Sequence, residues 1–439
     1  MLFDTHRYRL VSQRLPSAAT HRIVVLTGAR QTGKTTLCRA AYSALRYINL
    51  DAPENRDTLR QLSTLAWAQT VGNAVIDEAQ KEPSIFEKVK YAFDEGAISF
   101  TVLTGSSQIL LLKKIRESLA GRAFFYELWP LMQCELLQEA MDSSSERPVP
   151  LIDAFFSGHP VPRILATTQS VLLEADDLAY RQAEQHVLAW GGMPALLPLS
   201  DAERWEWLKN YGYTYLERDL ADLARLDDLM PFRKYQKLSA LRSSMLLNYS
   251  ELARDTDISV DSARRYMEYL RLSYQTFLLQ PYYKNITSST IKTPKLFWTD
   301  VGIWRQLTGY RGEMSGQLYE TMVVAEIVKW IRTRGKEVEL YFYRTRSGME
   351  VDLLLETPTG IIAMEIKSRA TAHTKDTRAM RTVAQQLGNK WLGGLVIYTG
   401  KAIKPLAEPD IWAVPSHRLF QPSDFQLGQM DTLENRSTI

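Results

Sequence analysis

The sequence predicts a mainly parallel α/β sheet in the N-terminal part, a helical middle and a second α/β unit towards the C-terminus. Three observations predict it. Short apolar runs at residues 23–26, 74–76 and 100–103 each end in a cluster of small or acidic polar residues. The stretches between them read as helices. Beyond residue 316, strand-like and helix-like segments alternate again. Strands alternating with helices imply a parallel sheet covered on both faces, with a ligand crevice at the carboxyl ends of its strands.

The chain has 439 residues, long enough for two to four domains of about 150 residues each. A hydrophobic content of 45% and a charged content of 23% are ordinary for a soluble globular protein and favour neither a disordered nor a fibrous chain. With 53 basic against 50 acidic residues, bulk charge neither announces nor excludes a nucleic-acid partner. Cys38 and Cys134 have neither metal-ligand spacing nor a disulfide framework, which fits a reducing compartment. The N-terminus carries early charges and no long apolar run, and no stretch approaches the roughly 20 apolar residues of a membrane span. The expectation is a cytoplasmic protein without a membrane partner.

Taken in order, the run at 23–26 is a buried strand leading into a glycine loop and a helix, and the runs at 74–76 and 100–103 are two further buried strands. Residues 142–162 turn rich in Ser, Pro and Gly and read as a connection or lid. Residues 170–229 are helical in pattern, interrupted by Gly191-Gly192-Met193-Pro194. Residues 237–283 read as helix, turn, helix, with Leu252, Ile258, Ala263, Met267 and Leu270 at the spacing of a helix-turn-helix core. The stretches 277–283 and 295–298 supply the two strands of a wing. After residue 316 an amphipathic helix precedes strands near 340–343, 351–355, 361–366 and 395–398, with a helix at 377–387. The expected domains are 1–165, 166–235, 236–310 and 311–439.

Gly28-Ala29-Arg30-Gln31-Thr32-Gly33-Lys34-Thr35 matches the phosphate-loop pattern at every fixed position, between a strand and a helix as that pattern demands. Gly28 and Gly33 let the backbone curl so that successive N–H groups and the helix N-terminus face phosphates, and Lys34 reaches the β and γ phosphates. Thr35 is the candidate ligand of Mg²⁺ and Thr36 a contact to the α-phosphate. Asp77, ending its strand, is placed to hold the Mg²⁺ water shell, and Glu78 to orient and deprotonate the attacking water. Ser106, in Thr104-Gly105-Ser106-Ser107, offers a hydroxyl to the γ-phosphate or the water; helix capping explains these residues nearly as well. Arg122 is a candidate cation for the transition state, in cis or towards a neighbouring subunit, and a surface arginine is the equal alternative. The implied ligands are ATP and Mg²⁺.

These motifs together resemble a bacterial and archaeal family of AAA-superfamily ATPases whose C-terminal domain of unknown function has a PD-(D/E)xK nuclease-like, or restriction-endonuclease-like, fold. The resemblance rests on GARQTGKTT, AVIDEAQ, VLTGSSQ and SLAGR, and on GGMPAL (191–196), YLERDL (215–220) and KTPKLFWTDVG (292–302). It implies architecture more than pathway.

The C-terminal residues follow the order of a nuclease core: Glu320 and Glu326 on a helix, Asp352 on one strand, and Glu365 two positions before Lys367 on another. Side chains alternate along a strand, so Glu365 and Lys367 project to one face. Asp352 and Glu365 are then candidate ligands of a divalent ion, with Lys367 positioning water and Glu326 or Glu320 completing the shell. Surface ion pairing, or a scaffold that no longer cuts, explains the same residues equally well. Arg344, Arg346, Lys367 and Arg369 are candidates for a phosphate-facing surface, and Arg264, Arg265 and Arg271, with Tyr266 nearby, for DNA backbone contacts. The expectation is ATP hydrolysis coupled to a nuclease-like effector. The alternatives are a nucleotide-regulated DNA endonuclease and a nucleotide-dependent switch that binds protein; an oligomer is compatible with all three.

Overall fold

The computed structural model describes residues 7–105, 119–137, 150–212, 229–283 and 292–421. Ser106 and the stretch 215–220 lie outside the described residues.

The first sheet has five strands, β1 (Arg22–Thr27), β2 (Arg46–Asn49), β3 (Ala74–Asp77), β4 (Phe100–Thr104) and β5 (Ala123–Glu127), in the order β2-β3-β4-β1-β5. Every pairing in it is parallel. The three apolar runs of the sequence are β1, β3 and β4. From Ile23 to the end of β1, and throughout β3 and β4, the residues are buried, as expected of strands covered on both faces. Strands β2 and β5 are not apolar throughout and escaped the hydrophobic pattern: β5 exposes Phe124 and Phe125. Helix α1 (Lys34–Ala41) leaves the loop after β1, with Gly33 at its N-terminus.

A second sheet has nine strands: β6 (Met245–Leu246), β7 (Thr276–Pro281), β8 (Lys295–Trp298), β9 (Glu339–Arg344), β10 (Glu350–Glu356), β11 (Ile361–Lys367), β12 (Trp391–Tyr398), β13 (Lys404–Ala407) and β14 (Ile411–Pro415). Their order is β13-β14-β12-β11-β10-β9-β7-β8-β6. Strands β9, β10 and β11 are antiparallel neighbours, whereas β12 lies parallel to β11. Strands β7 and β8 pair antiparallel, as a wing would, but β7 also pairs in parallel with β9. The sheet therefore runs across the expected boundary at residue 310. Burial explains why: Lys295, Leu296, Phe297 and Trp298 are all buried, so β8 is an interior strand rather than an exposed ribbon.

The helix-turn-helix elements are α3 (Tyr249–Thr256) and α4 (Val260–Leu272), which follow the long helix α2 (Glu174–Trp190) of the middle region. Asn248 caps α3 by accepting from the amides of Ser250 and Glu251, and Ser259 caps α4 by accepting from that of Ser262. Helix α5 (Gly316–Arg334) starts at the Ser315 cap and packs on β11 and β8. It is buried round most of its circumference, which places it between layers rather than on a surface. Helix α6 (Arg378–Leu387) follows β11.

The motifs 191–196 and 292–302 form one joint. Asp300 accepts from the amides of Gly302 and Ile303 at the start of the following helix and from that of Gly192 at 2.7 Å. Leu131, just beyond the first sheet, donates its amide to the Gly192 carbonyl at 2.6 Å. Gly191 has φ +77, and a Cβ there would lie 2.1 Å from an Asp300 oxygen. The joint ties both halves of the chain to one packed centre.

Candidate functional site

Polar ends of β1, β3 and β4 meet at the carboxyl edge of the first sheet. Gly28 turns the chain out of β1 with φ +150, and a Cβ there would lie 2.1 Å from the Leu128 carbonyl oxygen. Only glycine fits so close to backbone. The Lys34 ammonium is buried and donates to the carbonyls of Gly28 and Ala29 at 3.0 and 2.7 Å. Thr32 is fully buried and donates to the Ala29 carbonyl at 2.9 Å. Arg30, Gln31, Gly33 and Thr36 complete the turn into α1, where Gln31 and Gly33 have φ of +63 and +93.

Thr35 Oγ1 donates to Asp77 Oδ2 at 2.6 Å. The same carboxylate accepts from Tyr47 at 2.6 Å, from Thr104 on β4, and from the Glu78 amide at 3.0 Å. Burial alone would raise the Asp77 pKa. The hydrogen bonds from Thr104, Thr35, Tyr47 and the Glu78 amide outweigh it and hold the carboxyl below the usual carboxylate range. The stability this contributes is present above the unfolded pKa and is lost as pH falls through the lower folded value. Thr104→Val is therefore expected to shift acid unfolding to higher pH, read by circular dichroism between pH 2 and about pH 5. Glu78 takes a left-handed backbone, φ +54, and its carboxylate accepts from Gln80.

Residues that sequence reasoning missed surround the loop. Arg9 is buried and donates to the carbonyls of Thr32 and Trp129 at 2.6 and 2.5 Å, with Glu135 at 3.3 Å from its Nε. Tyr211 donates to the Arg30 carbonyl at 3.2 Å. Tyr274, just after α4, shares a 2.6 Å hydrogen bond with Thr27 and packs edge-on against Trp129, with Ala29 in the same small cluster. No local pattern marks these residues, because their partners lie 23 to 247 positions away.

Arg122 corrects the expectation of an arginine acting in cis. It precedes β5, whose first residue Ala123 aligns with Ile23 near the start of β1. It thus sits at the opposite end of the strands from Gly28, six residues or about 20 Å away. There it makes a two-point pair with Asp94, at 2.5 and 2.9 Å.

Where α5 packs on the second sheet, Glu320 of the helix meets Asp352, Glu365 and Lys367 of the strands, and two residues not foreseen join them. Lys295 Nζ lies 3.0 Å from Glu320 Oε1 and also pairs with Glu350. Lys367 Nζ donates to Glu365 Oε1 at 2.6 Å, the Ile366 amide donates to Asp352 at 2.8 Å, and Arg344 holds Glu350 at 2.8 Å. Burial and then the neighbouring Asp352 charge push Glu320 up to about 7 and Glu365 to about 8. Glu326 does not join them. Six positions along α5 from Glu320 it faces another side, fully buried, where it pairs with Lys329 and accepts from the Gln133 amide at 2.8 Å. Among the described residues no group of three or more His, Cys, Asp or Glu could hold a metal ion.

The basic residues expected to face phosphate are largely matched internally. Arg369 pairs with Asp376, Arg271 with Glu268 at 2.7 Å, and Arg264 lies 3.9 Å from Asp261. Arg265 reaches Ser262. Tyr266 is buried against Phe232 and Tyr235 instead of lying at a surface.

Comparison with known proteins agrees with this geometry at a coarse level. The AAA domain family matches residues 20–137, so the first sheet and its loop are an AAA-like ATPase domain. Residues 181–313 match a domain of unknown function (DUF8612), and residues 315–419 another (DUF4143). The uncharacterized protein Rv2008c of Mycobacterium tuberculosis is 27% identical over 413 residues, covering 91% of this chain and 82% of that protein. The uncharacterized protein MJ1544 of Methanocaldococcus jannaschii is 26% identical, covering 76% and 72%. Among solved structures, a STAND-type signal transduction ATPase with a tetratricopeptide repeat sensor from Pyrococcus horikoshii is 12% identical, covering 71% of this chain and 43% of its own, with a TM-score of 0.24. Protein VC1899 from Vibrio cholerae is 10% identical, covering 90% and 95%, with a TM-score of 0.20. Neither score is high enough to bear on the fold. Among the described residues no helix is long and apolar enough to cross a membrane.

Proposed function

We propose that this chain binds and hydrolyses ATP with Mg²⁺ at the loop from Gly28 to Thr36, and that nucleotide occupancy is transmitted to the C-terminal half. The observation that carries the reading is the contact between Thr35 and Asp77 beside the buried Lys34. The hydroxyl and carboxylate suited to a magnesium ion and its water shell already touch, so the residues present fit the metal. The bound ion would supply charge neutralisation at the phosphates. Gly28 and Gly33 aim loop amides at the anion, Lys34 adds a cation, and Asp77 fixes the Thr35 hydroxyl. Glu78 is the base that orients water, and Ser106, which follows β4 in sequence, the candidate hydroxyl for the γ-phosphate. A role for Arg122 is confined to a neighbouring copy of the chain.

Transmission rests on the loop's neighbours. Tyr211 and Tyr274 belong to the middle region and touch Arg30 and Thr27, at the start of the phosphate loop. Tyr274→Phe removes one such contact, worth about three- to tenfold in ATP affinity, checked by nucleotide titration with turnover at saturation as the control. The whole reading is tested by ATP hydrolysis with Mg²⁺, alone and with duplex or single-stranded DNA. Stimulation by either polymer makes DNA the partner; an unstimulated ATPase favours a protein partner. A chain with no saturable ATP or GTP affinity ends the proposal.

A second reading, DNA cleavage under nucleotide control, is favoured by the order of α5, β9, β10, β11, α6 and β12. That order brings Glu320, Asp352, Glu365 and Lys367 together as a nuclease-like core would.

A further inference from the structure

We infer that the Lys295 ammonium is the resident cation of the C-terminal carboxylate cluster, standing where a nuclease-like domain would hold a divalent ion, so that the cluster is closed to metal while β8 is docked. The inference rests on the nuclease-like reading of that domain. Lys295 is 2% exposed. Its stem runs from β8 beside the ring of Phe342 on β9, with Nζ 5.6 Å from the ring centroid, and its head meets Glu320 of α5 and Glu350 of β10. Asp352 accepts from the Ile366 amide and Glu365 from Lys367. One oxygen of Glu365 is buried without a hydrogen-bond partner among the described residues.

The charges nearly balance without an added ion. Glu320, Glu350, Asp352 and Glu365 face Lys295, Lys367 and Arg344. A divalent ion entering the same oxygens would meet an ammonium already there, and like charges in a poorly solvated site repel strongly. Among the described residues no group of three or more His, Cys, Asp or Glu could hold a metal ion, which agrees with this. Metal of the nuclease type does not fit the site as folded.

The source of the lysine gives the arrangement a consequence. β8 comes from the hairpin that follows the helix-turn-helix elements, outside the order of elements from α5 to β12. Opening the cluster to metal requires Lys295 to withdraw, so metal binding and full docking of this strand exclude one another.

The test uses the full-length, nucleotide-free chain and Mn²⁺, followed by calorimetry and by the melting temperature. Wild type and Asp352→Asn should give the same Mn²⁺ isotherm. Lys295→Met, which keeps the stem and removes the charge, should gain one site at least about tenfold tighter than any in wild type, and that site should vanish in the Lys295→Met, Asp352→Asn double variant. A site in wild type that depends on Asp352 overturns the inference, as does a folded Lys295→Met with no gain. Should Lys295→Met not fold, the comparison of wild type with Glu365→Gln decides: a Glu365-dependent site overturns the inference and identical isotherms support it. Incubating Lys295→Met with supercoiled DNA and Mn²⁺ separates the two readings. A gained metal site without cleavage keeps the lysine inference and sinks the nuclease reading.

Discussion

Lys34→Ala is expected to lower ATP turnover by about a hundredfold or more, because an ammonium aimed at the transferring phosphate is worth about that much or more in a water-poor site. In the structure this ammonium is buried over the loop, held by the carbonyls of Gly28 and Ala29. The alanine leaves the amides of the loop and the start of α1 in place but removes the charge that offsets phosphate repulsion. Affinity should fall, and turnover more than affinity, since negative charge on the phosphoryl oxygens is most in need of a cation in the transition state. The fold should persist, because β1 is anchored by its pairing with β4 and β5 and by a fully buried apolar run. The measurement is phosphate release at saturating ATP alongside nucleotide titration, with circular dichroism as the control for folding. Turnover at the wild-type rate in this variant would mean that chemistry occurs elsewhere.

The sequence made legible those parts of the molecule whose cause is local. The phosphate loop could be read because a curled anion-binding backbone needs glycine at fixed offsets, and Gly28 proves to sit against the Leu128 carbonyl. Strands β1, β3 and β4 could be read because interior strands are apolar on both faces. β5 could not, since Phe124 and Phe125 are exposed and the strand leaves no clean period. The residues that wrap the loop from outside, Arg9, Tyr211 and Tyr274, act through contacts distant in sequence and carry no pattern. Glu320 and Glu326 looked equivalent as two acids on one helix. Six residues amount to one and two-thirds turns, so they face different neighbours. Lys295 did leave a signal: a lysine opening the apolar run Lys295-Leu296-Phe297-Trp298 must either reach water or find an acid inside. The sheet shows that it finds two, Glu320 and Glu350.

Lys329→Met should destabilise the chain by about 3–5 kcal/mol, the usual cost of removing one partner from a buried ion pair. Lys329 and Glu326 are 3% and 1% exposed in their side chains, and Glu326 also accepts from the Gln133 amide. Burial already raises the Glu326 pKa, with Lys329 opposing the rise. Without Lys329 the carboxyl is pushed higher still. A carboxyl whose folded pKa exceeds its unfolded one costs nothing below the unfolded value, and the cost grows as pH rises towards the folded one. Urea unfolding should therefore show a larger deficit at pH 8 than at pH 5, and adding Glu326→Gln should recover much of it. An equal deficit at both pH values would mean that lost packing, and not the stranded charge, is responsible. The position of the pair gives this its weight for function. Gln133 follows the strand that closes the ATPase sheet, while Glu326 lies on the helix that backs the second sheet. The pair is a charged bolt between the AAA-like domain and the C-terminal half, and under the proposed function a variant that loosens it at high pH should also weaken the coupling between them.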